Sequence, residues 1–434
     1  MNGLSPFETL GVWLSGDYRF GTGTPAIAYL LIALAAVLAA VGAVAAARRR
    51  ALGPLLAAGT AVLVWLVLPA GIYIEAKLLA IASPPLVLLA MGGADAVTRE
   101  RRLRVAGILA AAAVAAAVLV SDGMAIRDAY IAPKDRLDEL REVGERFAGT
   151  GPAMLDEFEE YGKYFLRDSN AITPFDGYAL LPAELRVPGP TYDTWADLDE
   201  LTLEYVEEYP LIVRRRNPVA SRPPSNYRRV FLGDYYEVWR ARGDAPKPLD
   251  HLSLGDAADP TGAVDCAAVR QAAARPGAGA LVAAQRRSPL QLRAADMTLP
   301  AGWPVLPNGS VGALRAGTLR GELTAPAGRY RVWVRGTFGR GADVLVDGRT
   351  VGRADQVQTR EQMALAGEVE VRDGSHEIRL VRGGPAPLPG NGRDESYDAV
   401  FLEPVAPVVL RRVTSDRASA LCGTRADWVE SLSR

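Results

Sequence analysis

Residues 24–47, TPAIAYLLIALAAVLAAVGAVAAA, hold no charge, and Arg48, Arg49 and Arg50 follow at once. At 1.5 Å per residue such a run can cross a hydrocarbon core of about 30 Å. Three further apolar stretches follow, at about 51–74, 78–97 and 103–120. The third contains Pro84-Pro85. The fourth is mostly Ala, which contributes little insertion energy, so a buried soluble helix is its alternative. Four transmembrane helices are therefore expected over residues 24–121. Arg48–Arg50 and Arg99, Arg101, Arg102 and Arg104 mark the two turns that face the cytoplasm by the positive-inside rule. Residues 1–23 and everything after about 122 then lie outside. Residues 1–23 carry Glu8, Asp17 and Arg19 and no basic leader, so an external segment leads into the first helix. One explanation is that the chain is the rear part of a longer polytopic protein.

Overall composition hides this split. In 434 residues Lys+Arg number 49 and Asp+Glu 50, and mean hydropathy is +0.06. The balance excludes a nucleic-acid binder driven by bulk charge. Two Cys and two His argue against a structural zinc site, and no metal is expected.

The polar remainder reads as two external units. Residues 124–242 suit an α/β domain. A helix after Pro133 carries Leu137, Leu140, Val143 and Phe147 on one stripe. Strand, short-helix and helix stretches follow at 152–158, 161–167 and 195–209. A hairpin pairs Tyr227–Leu232 with Tyr235–Trp239 across Gly233-Asp234. Residues 243–262 read as a linker that contains His251. From 263 to 434, short strands between Gly-rich turns suit a β-sandwich of jelly-roll type. Asp347-Gly348 and Asp373-Gly374 are its hairpin turns. Cys266 and Cys422 are expected to form a disulfide outside the cell, where such bonds persist; two buried thiols are the alternative. Closing so long a loop stabilises by roughly 4–5 kcal/mol on the chain-entropy account.

Candidate sites are few. Glu75 and Lys77, at the outer mouth of the second and third spans, could hold a lipid phosphate or pair internally. Arg329, Arg331, Trp333 and Arg335 share one strand face opposite Tyr330, Val332 and Val334. Arg331, Trp333 and Arg335 suit a sugar ring bearing an anionic group, by stacking and charged hydrogen bonds. The same face could instead be solvated or dock on the other external unit. Asn391 and Asp394 lie in the loop Leu388-Pro-Gly-Asn-Gly-Arg-Asp394 and could meet a glycan or Ca²⁺, or simply form a turn. Trp303 and His376 read as structural. No Gly-x-Ser-x-Gly and no phosphate-binding loop occur.

Four stretches resemble the C-terminal half of large actinobacterial polytopic membrane proteins of the GT-C glycosyltransferase type. They are Leu10–Asp17, Tyr73–Ser83, Glu157–Arg167, and Ser221–Arg229 with Tyr235–Trp239. The residues from 263 look like carbohydrate-binding modules. The resemblance implies a polyprenyl-phosphate sugar donor if the chain belongs to a complete transferase; otherwise no cofactor is expected. It also implies a catalytic acid in a first external loop. Glu8, Asp17 and Glu75 do not match that motif, so no catalytic residue carries over. The expectation is a multi-pass protein of the cell envelope, with the bilayer and a cell-wall glycan or lipid-linked sugar as partners. It either positions an acceptor glycan for transfer or serves as a non-enzymatic glycan-binding or structural anchor.

Overall fold

The computed structural model describes all residues except 1–3, 17–20, 23, 68–71, 130–131, 158, 160, 173–196, 257, 314, 356, 358–361 and 385–394. The described chain falls into two compact units, one of residues 1–131 and one of residues 132–385 and 394–434, with 386–393 grouped with the first.

The first unit is helical. Helix α1 spans Pro25–Arg48, α2 Leu52–Val67, α3 Ile72–Arg99 and α4 Arg104–Asp128. Pro25 opens α1, where its missing N–H costs nothing. Arg50, at φ 57°, turns the chain out of it. Three of these helices are long and apolar enough to cross a membrane among the described residues. The Ala-rich fourth stretch is one of them. The second stretch is the short one: α2 has 16 residues, and residues 72–74, expected at its end, open α3 instead. Glu75 and Lys77 consequently sit in the first turns of α3, not between two helices. Apolar side chains face outward, with Leu30 and Leu119 each 71 % exposed and Val105 69 %. A bare apolar surface of this kind is one that a lipid phase covers.

Small residues let α1 and α3 approach closely. A Cβ on Gly42 would fall 1.8 Å from the Leu89 carbonyl oxygen, and one on Gly93 would fall 1.9 Å from that of Leu38. This is the small-residue packing by which apolar helices associate without a hydrophobic drive. The segment Gly11–Trp13 packs onto the same bundle. The Trp13 amide donates to Ser121 Oγ at 3.0 Å, and that hydroxyl donates back to the Trp13 carbonyl at 2.7 Å.

The second unit starts with α5, Lys134–Arg146, whose Leu140 and Val143 are fully buried. They cover a four-stranded sheet in the order 153–155, 211–215, 236–241, 227–232. The first pair is parallel and the rest antiparallel. The expected helix at 195–209 is, where described, two short ones, Leu198–Glu200 and Leu203–Glu207. Asp197 and Thr202 explain the break: each side chain accepts a backbone amide as an N-cap. The 233–235 turn is clasped from α5. The Glu139 carboxylate accepts the amides of Asp234, Tyr235 and Tyr236 at 2.7, 3.0 and 2.6 Å.

A two-sheet β-sandwich follows. One sheet runs 317–325, 374–382, 342–346, 349–354; the other runs 363–371, 328–337, 395–404, 290–293. Tyr330, Val332 and Val334 point into the core between them, with Val344, Ile378, Leu380 and Val400. Asp347 (φ 50°) and Gly348 (φ 74°) adopt the left-handed conformations that the tight hairpin requires.

The linker expected at 243–262 gives way to structure. Strand Pro248–Ser253 pairs with Trp428–Ser433, which pairs in turn with Ala278–Gln285 and so with Val409–Thr414. The stretch expected to be one sandwich over 263–434 therefore holds two structures: the sandwich proper, and a separate four-stranded sheet that gathers strands from before and after it. Pro and Gly around 248–253 punctuate a strand here. The strand is held by a partner some 180 residues away, a contact that no local pattern reveals. Helix Cys266–Ala273 lies on this second sheet, and the disulfide Cys266–Cys422, with Cα atoms 4.9 Å apart, ties it to the end of the helical turn Ser415–Leu421.

Candidate functional site

Trp333 does not stand open on the sandwich. It is 3 % exposed, packed with Val219, Met363, Ala399 and Phe401, and its indole N–H donates to Glu403 at 2.9 Å. As a stacking platform the ring is unavailable, because the α/β layer has docked on that strand face. The Arg residues beside it are neutralised. Arg331 pairs with Glu368 at 3.2 Å and Glu403 at 3.7 Å; Arg335 lies 3.8 Å from Asp398, with its guanidinium over Phe401. Burial pushes the Asp398 carboxyl up.

Docking creates a cleft along one border of this face. A cavity of about 200 Å³ is lined by Arg215, Arg216, Asp234, Tyr235, Trp333, Asp355 and strand residues 363–367. Arg215 ends strand 211–215, and its guanidinium lies 3.6 Å from the buried Glu157. Arg216 donates to the carbonyls of Gly233 and Asp234 at 2.9 and 3.1 Å and lies over the Trp333 ring, 5.3 Å from its centroid. Burial, and then Arg331, pulls the Arg216 guanidinium below its ordinary range. For Arg215 the causes are burial and then Arg136. The Tyr235 hydroxyl donates to Asp355 Oδ2 at 2.8 Å, and burial followed by that carboxylate raises its pKa. The backbone of strand 363–371 is irregular here: Val332 faces Gly367 while Trp333 faces Leu365, so Ala366 is the extra residue of a bulge. The cleft thus offers guanidinium donors, two carboxylates, a phenol and a short apolar strip. These are groups that hydrogen-bond hydroxyls and cover a ring face.

Of the sequence candidates, Trp333 lines this cleft and Arg331 stands next to Arg216. Arg335 points to the Phe401 side. Asn391 and Asp394 lie outside the described residues. Glu75, which accepts the Leu4 amide at 3.2 Å, and Lys77 belong to the helical unit, and Cys266 and Cys422 to the separate sheet. Arg216, Tyr235 and Asp355 were not singled out. Tyr235 sits in a quoted motif, but only the docked fold brings Asp355 to it.

The second feature is a buried ionic seam. The His251 ring is held between Glu430 Oε1 (2.8 Å, through Nδ1) and Asp199 Oδ1 (2.9 Å, through Nε2). Burial opposes its charge, but these two hydrogen bonds outweigh burial and raise its pKa to about 10, so it is an imidazolium. Asp427 accepts the Arg222 amide at 2.9 Å and pairs with Arg286 at 3.3 Å. Glu430 also accepts the Ser225 amide, and the Trp428 indole donates to the Arg222 carbonyl at 2.7 Å. Both His251 ring nitrogens are engaged, which leaves neither for a metal or for proton transfer. The seam joins the α/β layer to the separate sheet. Among the described residues no cluster of His, Cys, Asp and Glu could hold a metal ion.

No family model matches the chain, and no curated protein matches it. Among solved structures, the C-terminal region resembles carbohydrate-binding modules of β-sandwich fold. The CBM36-1 domain of a xylanase from the hindgut metagenome of Trinervitermes trinervoides is 15 % identical, with 27 % of this chain and 99 % of that chain covered at a TM-score of 0.24. A family 35 module from Clostridium thermocellum is 20 % identical, covering 26 % and 98 % at 0.20. The mannan-binding module of Man5C is 18 % identical, covering 27 % and 98 % at 0.20.

Proposed function

We propose that this is a membrane-held glycan-binding protein that receives one sugar unit in the cleft between Arg216–Tyr235 and strand 363–367. The observation that carries the reading is the cleft itself: charged and phenolic hydrogen-bonding groups converge on a cavity large enough for a single sugar ring. The apolar outer surfaces of α1, α3 and α4 support the membrane-held part. Arg-rich turns at one end of the helices place the polar two-thirds on the outer side under the positive-inside rule, where a disulfide persists. A role beside a lipid-linked-sugar transferase, with the cleft holding the acceptor, is the enzymatic extension of the same reading. Its further requirement is a donor site in the helical unit.

The experiment is a glycan screen of the purified full chain, repeated with Tyr235→Phe and Asp355→Asn. Each replacement removes one side of a single hydrogen bond, so a loss of about fivefold to tenfold in affinity is expected. Binding that neither variant alters would move the ligand out of the cleft. No binding to any glycan by a folded chain would end the proposal.

A further inference from the structure

We propose that the short helix Gly162–Phe165 and its flanks form a lipid-contact face, with Tyr161 and Tyr164 seated at headgroup level and Lys163 and Arg167 against phosphates of an anionic leaflet. This rests on the membrane-held half of the reading above and concerns a different part of the surface from the cleft.

The inner side of this helix is committed to the core. Leu166 is fully buried, and a Cβ on Gly162 would fall 2.5 Å from Leu155 Cδ2. The outer side is the reverse. Tyr161 and Tyr164, one turn apart, are 48 % and 64 % exposed. Among the described residues neither hydroxyl makes a hydrogen bond. A large aromatic body with an unsatisfied polar tip is the side chain that collects at membrane–water boundaries. Two exposed bases stand with them, Lys163 and Arg167. The Arg167 guanidinium lies 4.9 Å from the Tyr164 ring centroid and donates to the Tyr164 carbonyl at 2.7 Å, which fixes the cation beside the ring. Of the acids nearby, Glu159 is engaged by the buried Arg136, and Asp168 is exposed. Basic side chains next to interfacial aromatics match the negative surface of an anionic leaflet. The same chain carries three helices able to span a bilayer, so lipid is the partner that it brings with it.

The test uses the full chain in nanodiscs of phosphatidylcholine alone or mixed with phosphatidylglycerol. An environment-sensitive fluorophore is placed on Tyr161→Cys, with a reference probe on Thr350→Cys in the exposed sandwich hairpin. The expected result is blue-shifted emission and quenching by brominated lipid at 161 but not at 350, stronger with phosphatidylglycerol and reduced severalfold by Lys163→Glu with Arg167→Glu. Slowed amide exchange over 161–167 in the unlabelled protein should follow the same lipid order. Equal accessibility of both probes to aqueous iodide in both lipids, with glycan binding intact, overturns the lipid face and leaves the cleft standing. Protection of 161–167 by a soluble glycan without lipid would give the face to sugar and overturn it too. A chain that does not enter discs overturns the membrane-held reading and this inference with it.

Discussion

His251 Nδ1 lies 2.8 Å from Glu430 Oε1, although the two residues are 179 positions apart in sequence. That contact, continued by Asp199 on the other ring nitrogen, is a buried carboxylate–imidazolium–carboxylate clasp between the α/β layer and the sheet that includes the C-terminal strand. Removing the cation strands two carboxylates out of water. His251→Leu should therefore cost about 3–5 kcal/mol of stability, the usual penalty for breaking a buried ion pair. Urea unfolding of the full chain in detergent, followed by near-ultraviolet dichroism, would check it; a change within about 0.5 kcal/mol would mean the clasp is not formed.

The same seam fixes the sign of a pH effect. His251 is raised from 6.5 to about 10, so its stabilisation is complete below 6.5 and is lost as pH rises through 10. Burial, opposed by Arg286, raises Asp427 from 3.8 to about 7. A carboxyl held up in the folded state costs stability as pH climbs from about 4 to 7, because the unfolded chain gives up that proton more readily. Asp427 Oδ1 has no hydrogen-bond partner among the described residues, which fits a group that gains little from being ionised. Both groups lower stability as pH rises. Melting temperature should fall from mildly acidic to alkaline pH, and Asp427→Asn should flatten the limb below 7 while sparing the limb above it.

The disulfide makes a third prediction. Cys266 and Cys422 close a loop with a sequence separation of 156, and loss of the bond should cost roughly 4–5 kcal/mol on the chain-entropy account. Cys266→Ser with Cys422→Ser, or reductant on the wild type, should lower the melting temperature together. A wild type that is insensitive to reductant would contradict it.

In the helical unit, Gly42 and Gly93 admit no side chain where α1 meets α3. Gly42→Val and Gly93→Val should each force the helices apart and lower the detergent melting temperature. Gly53→Val, where a Cβ meets nothing within 4 Å, should not.

Much of this was readable from local pattern. The uncharged run 24–47 and the alternation Tyr330–Val332–Val334 report burial directly, because period and polarity follow from which face leaves water. Trp333 shows where the method stops. Its alternation placed it correctly outside the sandwich core, but the polar face of a strand can be covered by another layer, and that layer's register is not written in the strand. His251 failed for the same reason: Pro- and Gly-rich flanks look like a linker until a strand from the far end of the chain pairs with them. Arg216, Tyr235 and Asp355 meet only after both dockings have occurred, so no spacing could have joined them.

The sharpest test of the account maps the sugar onto the cleft. Amide hydrogen exchange of the full chain, with and without a glycan that it binds, should show slowed exchange confined to residues 233–236 and 363–367, abolished in Asp355→Asn. Protection elsewhere, or binding without protection in either segment, would contradict the central claim that this cleft is the glycan site.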